Sequence, residues 1–309
     1  MAILQGILVL GLLIGFFVGI YYLLNKLIDL IQDKIEGKPE IIVLNKYNKE
    51  NETMDKIKLY NADCLDILPQ LEENSVDLIL CDLPYGTTCL KWDKVIDFDQ
   101  LWVEYQRIIK PDGIIALFSI QPFTTMLISS QLNMYRYSWI WFKDSPTGFL
   151  NANYAPLKQT EDINIFSFGK VGSLSKNPIR YYPQGLTEVN KTKQNNPNST
   201  WRKNKGYNGN NILNSDKEYI QKYTGYPNNI LYFPRDKNTI HPTQKPVDLL
   251  KRLIKTYTKK GETVLDNCMG SGSTGVACIK TDRVFIGIEK DANIYDAAYK
   301  RINLTLEQK

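Results

Sequence analysis

One segment near the C-terminus constrains the fold more than any other. An apolar strand at Thr263–Asp266 leads into a turn with glycines at 270 and 272 and then into a helical pattern, and a second apolar strand ends on Glu289. Glycines let the backbone approach a ligand at a helix N-terminus, and an acid about twenty residues further on can bind the hydroxyls of a ribose. The segment therefore predicts a nucleoside-binding unit in a parallel α/β sheet.

The rest of the chain shows the same α/β organisation. Short apolar runs alternate with helical patterns, which predicts strands at 57–60, 76–81, 113–119, 137–142, 163–168, 263–266 and 283–289. Helices are predicted at 246–257, from 273, and in a closing segment that ends near 304. Residues 170–237 are rich in Asn, Lys, Tyr, Pro and Gly and have no sustained period. The sequence therefore predicts a Rossmann-like sheet that carries a loop-rich insert.

The first residues form a separate hydrophobic segment. Gln5 is the one strongly polar side chain in residues 2–24, a length that suits a helix crossing a bilayer core. Glycines at 11, 15 and 19 would let two such helices approach closely, so a homodimer is possible. Lysines follow this segment and favour a cytoplasmic location for the remaining chain. We expect a transmembrane helix that tethers a cytoplasmic catalytic domain.

Composition excludes several kinds of site. The 38 Lys and Arg residues exceed the 33 acids, and the net charge of +5 permits nucleic acid as a partner without requiring it. Five cysteines form no Cys-x-x-Cys pair and His241 is the one histidine, so neither a disulfide framework nor a zinc site is indicated. We expect a site without metal.

A second site is predicted where strand 76–81 ends. The chain continues with Asp82, Leu83, Pro84 and Tyr85, and the carboxyl ends of parallel strands face the crevice where ligands bind. An aromatic amine is a poor nucleophile, so an enzyme that activates one must accept its hydrogen bonds and stabilise developing positive charge. The Asp82 carboxylate and Leu83 carbonyl suit this task, and the Tyr85 ring suits stacking on a base swung out of a duplex.

Three motifs resemble those of exocyclic-amino DNA methyltransferases. Residues 82–85 resemble their Asp-Pro-Pro-Tyr motif, residues 266–275 resemble their cofactor loop, and residues 241–246 resemble the segment that braces the methionine end of the cofactor. The order of motifs is that of the circularly permuted β class, and flanking segments such as 148–151 are similar to phage and prophage adenine methylases. Leu83 departs from the family pattern, which has proline there.

The resemblance implies S-adenosylmethionine as the cofactor, double-stranded DNA as the partner, and the N6 amine of adenine as the methyl acceptor. It implies catalytic roles for Asp82, Leu83, Pro84 and Tyr85. The cofactor-binding residues that it implies are Asp63, Cys64, His241, Thr243, Lys245, Asp266, Met269, Gly270, Ser271, Gly272 and Glu289. Asp63 would accept a hydrogen bond from the adenine amine of the cofactor.

The resemblance and the composition together divide the chain into five regions. A hydrophobic segment at 1–38 and a linker at 39–56 precede the catalytic half at 57–169, the target-recognition insert at 170–237 and the cofactor-binding half at 238–309. Between residues 170 and 205 the insert has eight Lys or Arg residues and one acid, Glu188, interleaved with aromatic residues. Such loops suit phosphate contacts and base stacking, although they do not reveal the target sequence.

Two alternatives stay open. The first is methylation of the cytosine N4 amine, although the family usually places Ser at the first catalytic position for cytosine and Asp82 favours adenine. The second is a membrane-anchored nucleic-acid-binding protein that has kept the cofactor fold without turnover, for which Leu83 and the apolar N-terminus are the support. Restriction-modification and solitary methylation are equally compatible with the sequence.

Overall fold

The computed structural model describes residues 40–48, 53–87, 93–172, 174–194, 218–237, 239–240 and 244–309. In these residues nine strands form one mixed sheet and two strands form a separate small sheet. The strands are β1 (Glu40–Asn48), β2 (Thr53–Asn61), β3 (Val76–Cys81), β4 (Ile109–Ser119), β5 (Tyr135–Thr147), β6 (Lys158–Phe166), β7 (Thr187–Gln194), β8 (Glu218–Thr224), β9 (Ile230–Tyr232), β10 (Thr263–Asp266) and β11 (Val284–Glu289). The α-helices are α1 (Cys64–Ile67), α2 (Phe98–Ile108), α3 (Phe123–Ser130), α4 (Val247–Tyr257), α5 (Ser273–Ile279) and α6 (Ala292–Glu307).

Five neighbouring strands of the main sheet run parallel. The sheet order is β1-β2-β11-β10-β3-β4-β6-β5-β9, and the strands from β2 to β4 in this order are parallel. β1 is antiparallel to β2, and β6 is antiparallel to both β4 and β5. Because parallel strands end at one edge of a sheet, the segments that follow β3, β10 and β11 meet there. The predicted α/β class is confirmed.

Helices cover both faces of the main sheet. α4, α5 and α6 pack in one apolar layer with Leu78 and Leu80, and α1, α2 and α3 pack in the other with Ile79 and Cys81. Successive side chains of a strand point to opposite faces, so a strand with two covered faces is apolar throughout. This is why every residue of β3 is buried.

Asp77 is the exception to the apolar character of β3. Its two oxygens each accept from Lys110 Nζ at 2.8 Å, and they also accept from the Thr263 backbone N–H at 2.9 Å and the Arg180 guanidinium at 3.2 Å. Arg180 also pairs with Glu262 at 2.9 Å. These contacts join β3 to β4, to β10 and to the insert, at the end of β3 opposite the predicted catalytic turn.

Strands occupy most of residues 39–56, where the sequence predicts a linker. β1 pairs with β2 in antiparallel register along its whole length. Ile42 and Leu44 pack against the core, whereas Ile41 and Val43 are 51% and 49% exposed. A run of apolar, largely β-branched residues favours an edge strand, and this preference corrects the linker prediction for residues 40–48 and 53–56.

Other elements also lie where the patterns indicated none. Asp97 caps the N-terminus of α2, and its side chain accepts hydrogen bonds from the backbone N–H groups of Asp99 and Gln100. In the insert, β7 pairs with β8, and β9 extends the main sheet beside β5. The few apolar or aromatic residues of β7 and β8 do not alternate with polar ones, so these strands lack the pattern that marks a half-buried strand.

The predicted membrane helix in residues 1–38 lies outside the described residues. Within the part of the chain that the structure describes, no helix combines the length and apolar character needed to cross a bilayer.

Candidate active site

A cavity of about 870 Å³ opens where the parallel strands end. The segments that follow β3, β10 and β11 line it, together with residues at the start of α4 and in β5 and β6. Twelve predicted site residues contribute to its lining: Asp63, Cys64, Asp82, Leu83, Pro84, Tyr85, Lys245, Asp266, Met269, Gly270, Ser271 and Glu289. A second cavity of about 420 Å³, against Trp139 and Tyr181, contains none of them. The fold therefore brings the two predicted sites into one cavity.

The predicted catalytic turn follows β3 directly. The Tyr85 hydroxyl donates to Asp82 Oδ1 at 2.5 Å, and the Tyr85 ring packs on Phe123 with centroids 5.0 Å apart. Leu83 is buried, with 3% of its surface exposed. Tyr85 therefore stabilises the turn in two ways: its ring packs on Phe123, and its hydroxyl donates to Asp82.

Asp93 braces the same turn, and sequence reasoning assigned it no role. Its two carboxylate oxygens accept from the backbone N–H groups of Gly86 at 2.8 Å and Thr87 at 2.9 Å. Gly86 has a φ of +67°, a conformation that glycine adopts without strain. Asp93 therefore fixes the path of the chain as it leaves the catalytic turn.

Lys245 lies against Asp82, although the sequence predicts it as a cofactor ligand. Its Nζ donates to Asp82 Oδ2 at 2.5 Å and lies 3.2 Å from Glu161 Oε2. Burial acts to lower the pKa of Lys245, but the two carboxylates outweigh it and raise that pKa. Burial raises the pKa of Asp82, the charge of Lys245 opposes this, and the charge of Glu161 adds to it. Lys245 therefore stays protonated beside an acid that burial makes harder to ionise.

Glu161 and Lys143 complete a line of alternating charges behind Asp82. Lys143 Nζ lies 2.6 Å from Glu161 Oε1, and both side chains are mostly buried. Burial acts to raise the pKa of Glu161, but Lys245 and Lys143 outweigh it and lower that pKa. No sequence signal indicates this pair, because the two residues lie on antiparallel strands, β6 and β5, outside every motif.

The two glycines of the predicted cofactor loop have different environments. Both have positive φ, +50° at Gly270 and +72° at Gly272. A Cβ on Gly270 would approach only the Cys268 carbonyl oxygen, at 4.0 Å, whereas a Cβ on Gly272 would lie 2.9 Å from Ile302 Cδ1. Gly270 therefore faces the cavity, and Gly272 lets α6 pack against the loop.

The two acids that flank this loop are held by hydrogen bonds. Glu289 accepts from the backbone N–H groups of Gly270 at 3.0 Å and Asp291 at 2.9 Å. Asp266 accepts from Thr274 Oγ1 at 2.6 Å, and burial raises the pKa of Asp266 to about 6. The loop is therefore organised by carboxylates on the two strands that precede and follow it.

Two further loop residues are held by neighbouring elements. The backbone N–H of Met269 donates to Ile288 at 2.9 Å, and the Ser271 carbonyl accepts from Arg301 at 3.0 Å. Met269 is buried and also lines the cavity. These contacts fix the loop to β11 and to α6.

Asp63 lines the cavity beside the end of β11 and has two hydrogen-bond partners. Its carboxylate accepts from the Leu65 backbone N–H at 3.0 Å, which caps α1, and from Lys290 Nζ at 2.7 Å. Burial acts to raise the pKa of Asp63, but these hydrogen bonds outweigh it and lower that pKa. The other two predicted site residues, His241 and Thr243, lie outside the described residues.

Three cysteines contact one another at the cofactor loop, to which Cys268 belongs. A hydrogen bond with Cys268, followed by burial, raises the pKa of Cys64. Burial raises the pKa of Cys81 to about 12. Contact with Cys64 acts to lower the pKa of Cys268, but its bond with Cys81 and burial outweigh that contact and raise it. All three therefore stay as thiols at neutral pH.

The two loop glycines should respond differently to alanine. Each substitution places a side chain at positive φ, which costs about 1 kcal/mol. Gly272→Ala should lower the free energy of unfolding by about 1–3 kcal/mol more, because its Cβ overlaps Ile302. Urea unfolding measures both, and Gly261→Ala is the matched control because its φ is +79° and nothing lies within 4 Å of its Cβ. Equal losses for Gly270→Ala and Gly272→Ala would contradict the packing role.

Comparison with known proteins agrees with this geometry. The family model described as DNA methylase matches residues 76–300. The type II methyltransferase M.HpaI of Haemophilus parainfluenzae is 28% identical over 80% of this chain and 74% of its own, and M1.MboII of Moraxella bovis is 26% identical over 78% and 94%.

Solved structures of low identity share the fold. The M1.HpyAVI–SAM complex is 24% identical with a TM-score of 0.51, and it covers 79% of this chain and 99% of its own. The cytosine-N4-specific PvuII DNA methyltransferase is 13% identical with a TM-score of 0.54, and it covers 82% and 92%. Because the family match extends over well more than half of the 309 residues, the chain belongs to the DNA methylase family of exocyclic-amino methyltransferases.

Proposed function

We propose that this enzyme transfers the methyl group of S-adenosylmethionine to the N6 amine of adenine in double-stranded DNA. The observation that carries the proposal is one cavity lined both by the Asp82 turn and by the Gly270 loop with Glu289. An amine acceptor and a nucleoside cofactor therefore have room to meet in one cavity.

The residues around the loop fit S-adenosylmethionine. Gly270 leaves open space where any other residue would have a Cβ, and Glu289 is placed at the end of β11 where a ribose carboxylate partner is expected. Asp63 lines the same cavity and is proposed to accept from the adenine amine of the cofactor. When bound, the cofactor supplies an electrophilic methyl group on a sulfonium.

The protein's part in the reaction is to make the amine nucleophilic. The Asp82 carboxylate and the Leu83 carbonyl accept its two N–H groups, which localises the lone pair on nitrogen and stabilises the positive charge that forms during attack. Tyr85 holds Asp82 Oδ1 and offers a ring to the flipped base. After transfer, the extra proton leaves the methylated amine for solvent.

Adenine is the proposed acceptor because the first catalytic residue is an acid. The Asp82 carboxylate can accept a hydrogen bond from the neutral amine before attack and from the positively charged amine after it. The resembled family usually has Ser at this position in enzymes that methylate cytosine. The likeness to the PvuII enzyme is at 13% identity and carries the fold alone, so it does not favour cytosine. Cytosine N4 is the second candidate, and nucleoside analysis separates the two.

Expression in a host that lacks adenine methylation should produce N6-methyladenine in its DNA, measured by mass spectrometry of digested nucleosides. Asp82→Ala should abolish transfer and leave cofactor affinity nearly unchanged, because the carboxylate acts mainly in the transition state. Tyr85→Phe should lose about tenfold in rate with the hydrogen bond to Asp82, and Tyr85→Ala should lose more with the stacking surface. N4-methylcytosine instead would support the second candidate, and unmodified DNA would refute both.

The insert supplies the DNA-contacting surface in this proposal. The β7–β8 hairpin exposes Lys191, Lys193 and Lys222, together with the aromatic side chains of Tyr219 and Tyr223. Cations that lie along a hairpin suit phosphate contacts, and exposed aromatic rings suit stacking. The proposed insert at 170–237 therefore acts in target recognition.

Replacing both Lys191 and Lys193 by Ala should weaken DNA binding equally for target and unrelated duplexes. The slope of log affinity against log salt should become shallower by about 0.9 for each phosphate that the variant no longer neutralises, as fluorescence anisotropy at several salt concentrations measures. Lys280→Ala is the control, since Lys280 is an exposed lysine at the end of α5. An unchanged slope in the double variant would remove the hairpin from the DNA interface.

The chain order also supports the finer classification. The catalytic strand β3 precedes the cofactor strand β10, which is the order of the circularly permuted β class, with a catalytic half at 57–169 and a cofactor half at 238–309. Resemblance of the flanking segments to phage and prophage enzymes supports a similar origin here. If a partner nuclease cleaves the same DNA sequence, the two enzymes form a restriction-modification pair.

The hydrophobic segment at 1–38 supports a membrane tether for a cytoplasmic catalytic domain. The full chain should sediment with membranes and resist extraction by salt, whereas a chain that begins at residue 39 should stay in the high-speed supernatant with full methyltransferase activity. Full-length protein in the supernatant would contradict the tether. It would also contradict a homodimer formed by packing of two such membrane helices.

A further inference from the structure

Three charged residues lie in line behind Asp82, and the chemistry described so far gives them no part. The line runs from Asp82 through Lys245 and Glu161 to Lys143, over contacts of 2.5, 3.2 and 2.6 Å between oppositely charged atoms. The side chains are 23%, 10%, 13% and 7% exposed in that order. Burial of four charges is costly, so a function for them has to be sought in the site that they border.

Lys245 is shared between two acids in this line. It donates to Asp82 Oδ2, and its Nζ lies 5.1 Å from the centroid of the Phe118 ring. Glu161 Oε2 is buried, and it lies 3.2 Å from Lys245 Nζ, a longer contact than the 2.5 Å between Lys245 and Asp82. The positive charge of Lys245 is therefore shared between Asp82 and Glu161.

We propose that Glu161 is a positioning residue for methyl transfer: it shares the positive charge of the Lys245 ammonium with Asp82, so that the Asp82 carboxylate keeps its negative charge available to the target amine. The proposal rests on the methyltransferase function and assigns a role to Glu161, Lys143 and Lys245 within it. Lys143 holds the other oxygen of Glu161 and fixes its place.

The charge count shows why the balance matters. Two acids and two lysines sum to zero, so the site is locally neutral when positive charge begins to form on the amine. Without the charge of Glu161 the cluster would be positive by one unit, and it would oppose that developing charge. Without the charge of Lys143 it would be negative by one unit.

The same balance sets the acid limb of the pH–rate profile. Asp82 must be ionised to accept the amine hydrogen bond, so activity falls as pH drops through its pKa. Burial and then Glu161 raise that pKa, while Lys245 and the Tyr85 hydroxyl lower it. Removal of the Glu161 charge should therefore move the acid limb to lower pH. Removal of the Lys143 charge should move it to higher pH.

Other ionisable groups near Asp82 are unchanged in these variants. Cys81 precedes it on β3, Asp266 faces it from β10, and Arg235 lines the same cavity. None of these three side chains contacts Glu161 in the part of the chain that the structure describes. A displacement of the limb in a Glu161 variant thus reports on the charge line.

The test is the pH dependence of kcat/KM and kcat for Glu161→Gln, Lys143→Met and the double variant, on a duplex that contains the target site. Glu161→Gln should lose about tenfold in kcat and shift its acid limb to lower pH, with little change in cofactor KM. Lys143→Met should shift the limb to higher pH. The double variant, which is neutral again, should recover most of the lost rate.

Two results would overturn the proposal. One is a loss of rate in Glu161→Gln without displacement of the acid limb, which would mean a merely structural role. The other is an unchanged rate and an unchanged acid limb of the pH–rate profile in both single variants. If Glu161→Gln fails to fold, an unchanged acid limb in Lys143→Met alone overturns the proposal. The proposed function itself is tested separately: the wild-type enzyme should methylate the duplex and Asp82→Ala should not. If both hold, either result above concerns only the role of Glu161.

Discussion

The burial of β3 on both faces is the constraint from which the site follows. A strand with helices on either side must be apolar along its length, and its polar residues are confined to places where they are fully paired. Asp77 near its start is paired with Lys110, Arg180 and a backbone amide of β10. Asp82 directly after its end is paired with Lys245 and Tyr85. One carboxylate joins strands at the base of the sheet, and the other faces the cavity.

The parallel strands bring segments that are distant in the chain to one cavity. β11, β10 and β3 are consecutive neighbours in the sheet, although β3 and β10 lie far apart in the chain. Their carboxyl ends deliver the Asp82 turn, the Gly270 loop and Glu289 to one cavity. The neighbouring antiparallel strands β5 and β6 then add Lys143 and Glu161 from the side. The sheet thus supplies chemical groups from its parallel part and electrostatic balance from its antiparallel part.

Sequence patterns predict what local structure determines and miss what tertiary contact determines. β3, β10 and the start of α5 lie at their predicted bounds, because apolar runs and glycine turns are local signals. Glu161 and Lys143 have no such signal, because their partners lie on other elements. Asp93 has none either, because an acid six or seven residues after a turn belongs to no recognised spacing. Lys245 is predicted in the site but toward the cofactor. Its contact with Asp82 depends on how α4 packs on the sheet, which no motif encodes.

The thiols at the cofactor loop have a consequence for the chemical durability of the enzyme. A sulfonium methyl group alkylates soft nucleophiles, and Cys64 and Cys268 line the cavity in which it would be held. Only the thiolate form of cysteine is strongly nucleophilic, and the raised pKa values of this cluster keep the protonated form dominant. The protein thereby gains compact, polarisable packing beside an alkylating agent without becoming an alternative methyl acceptor for it.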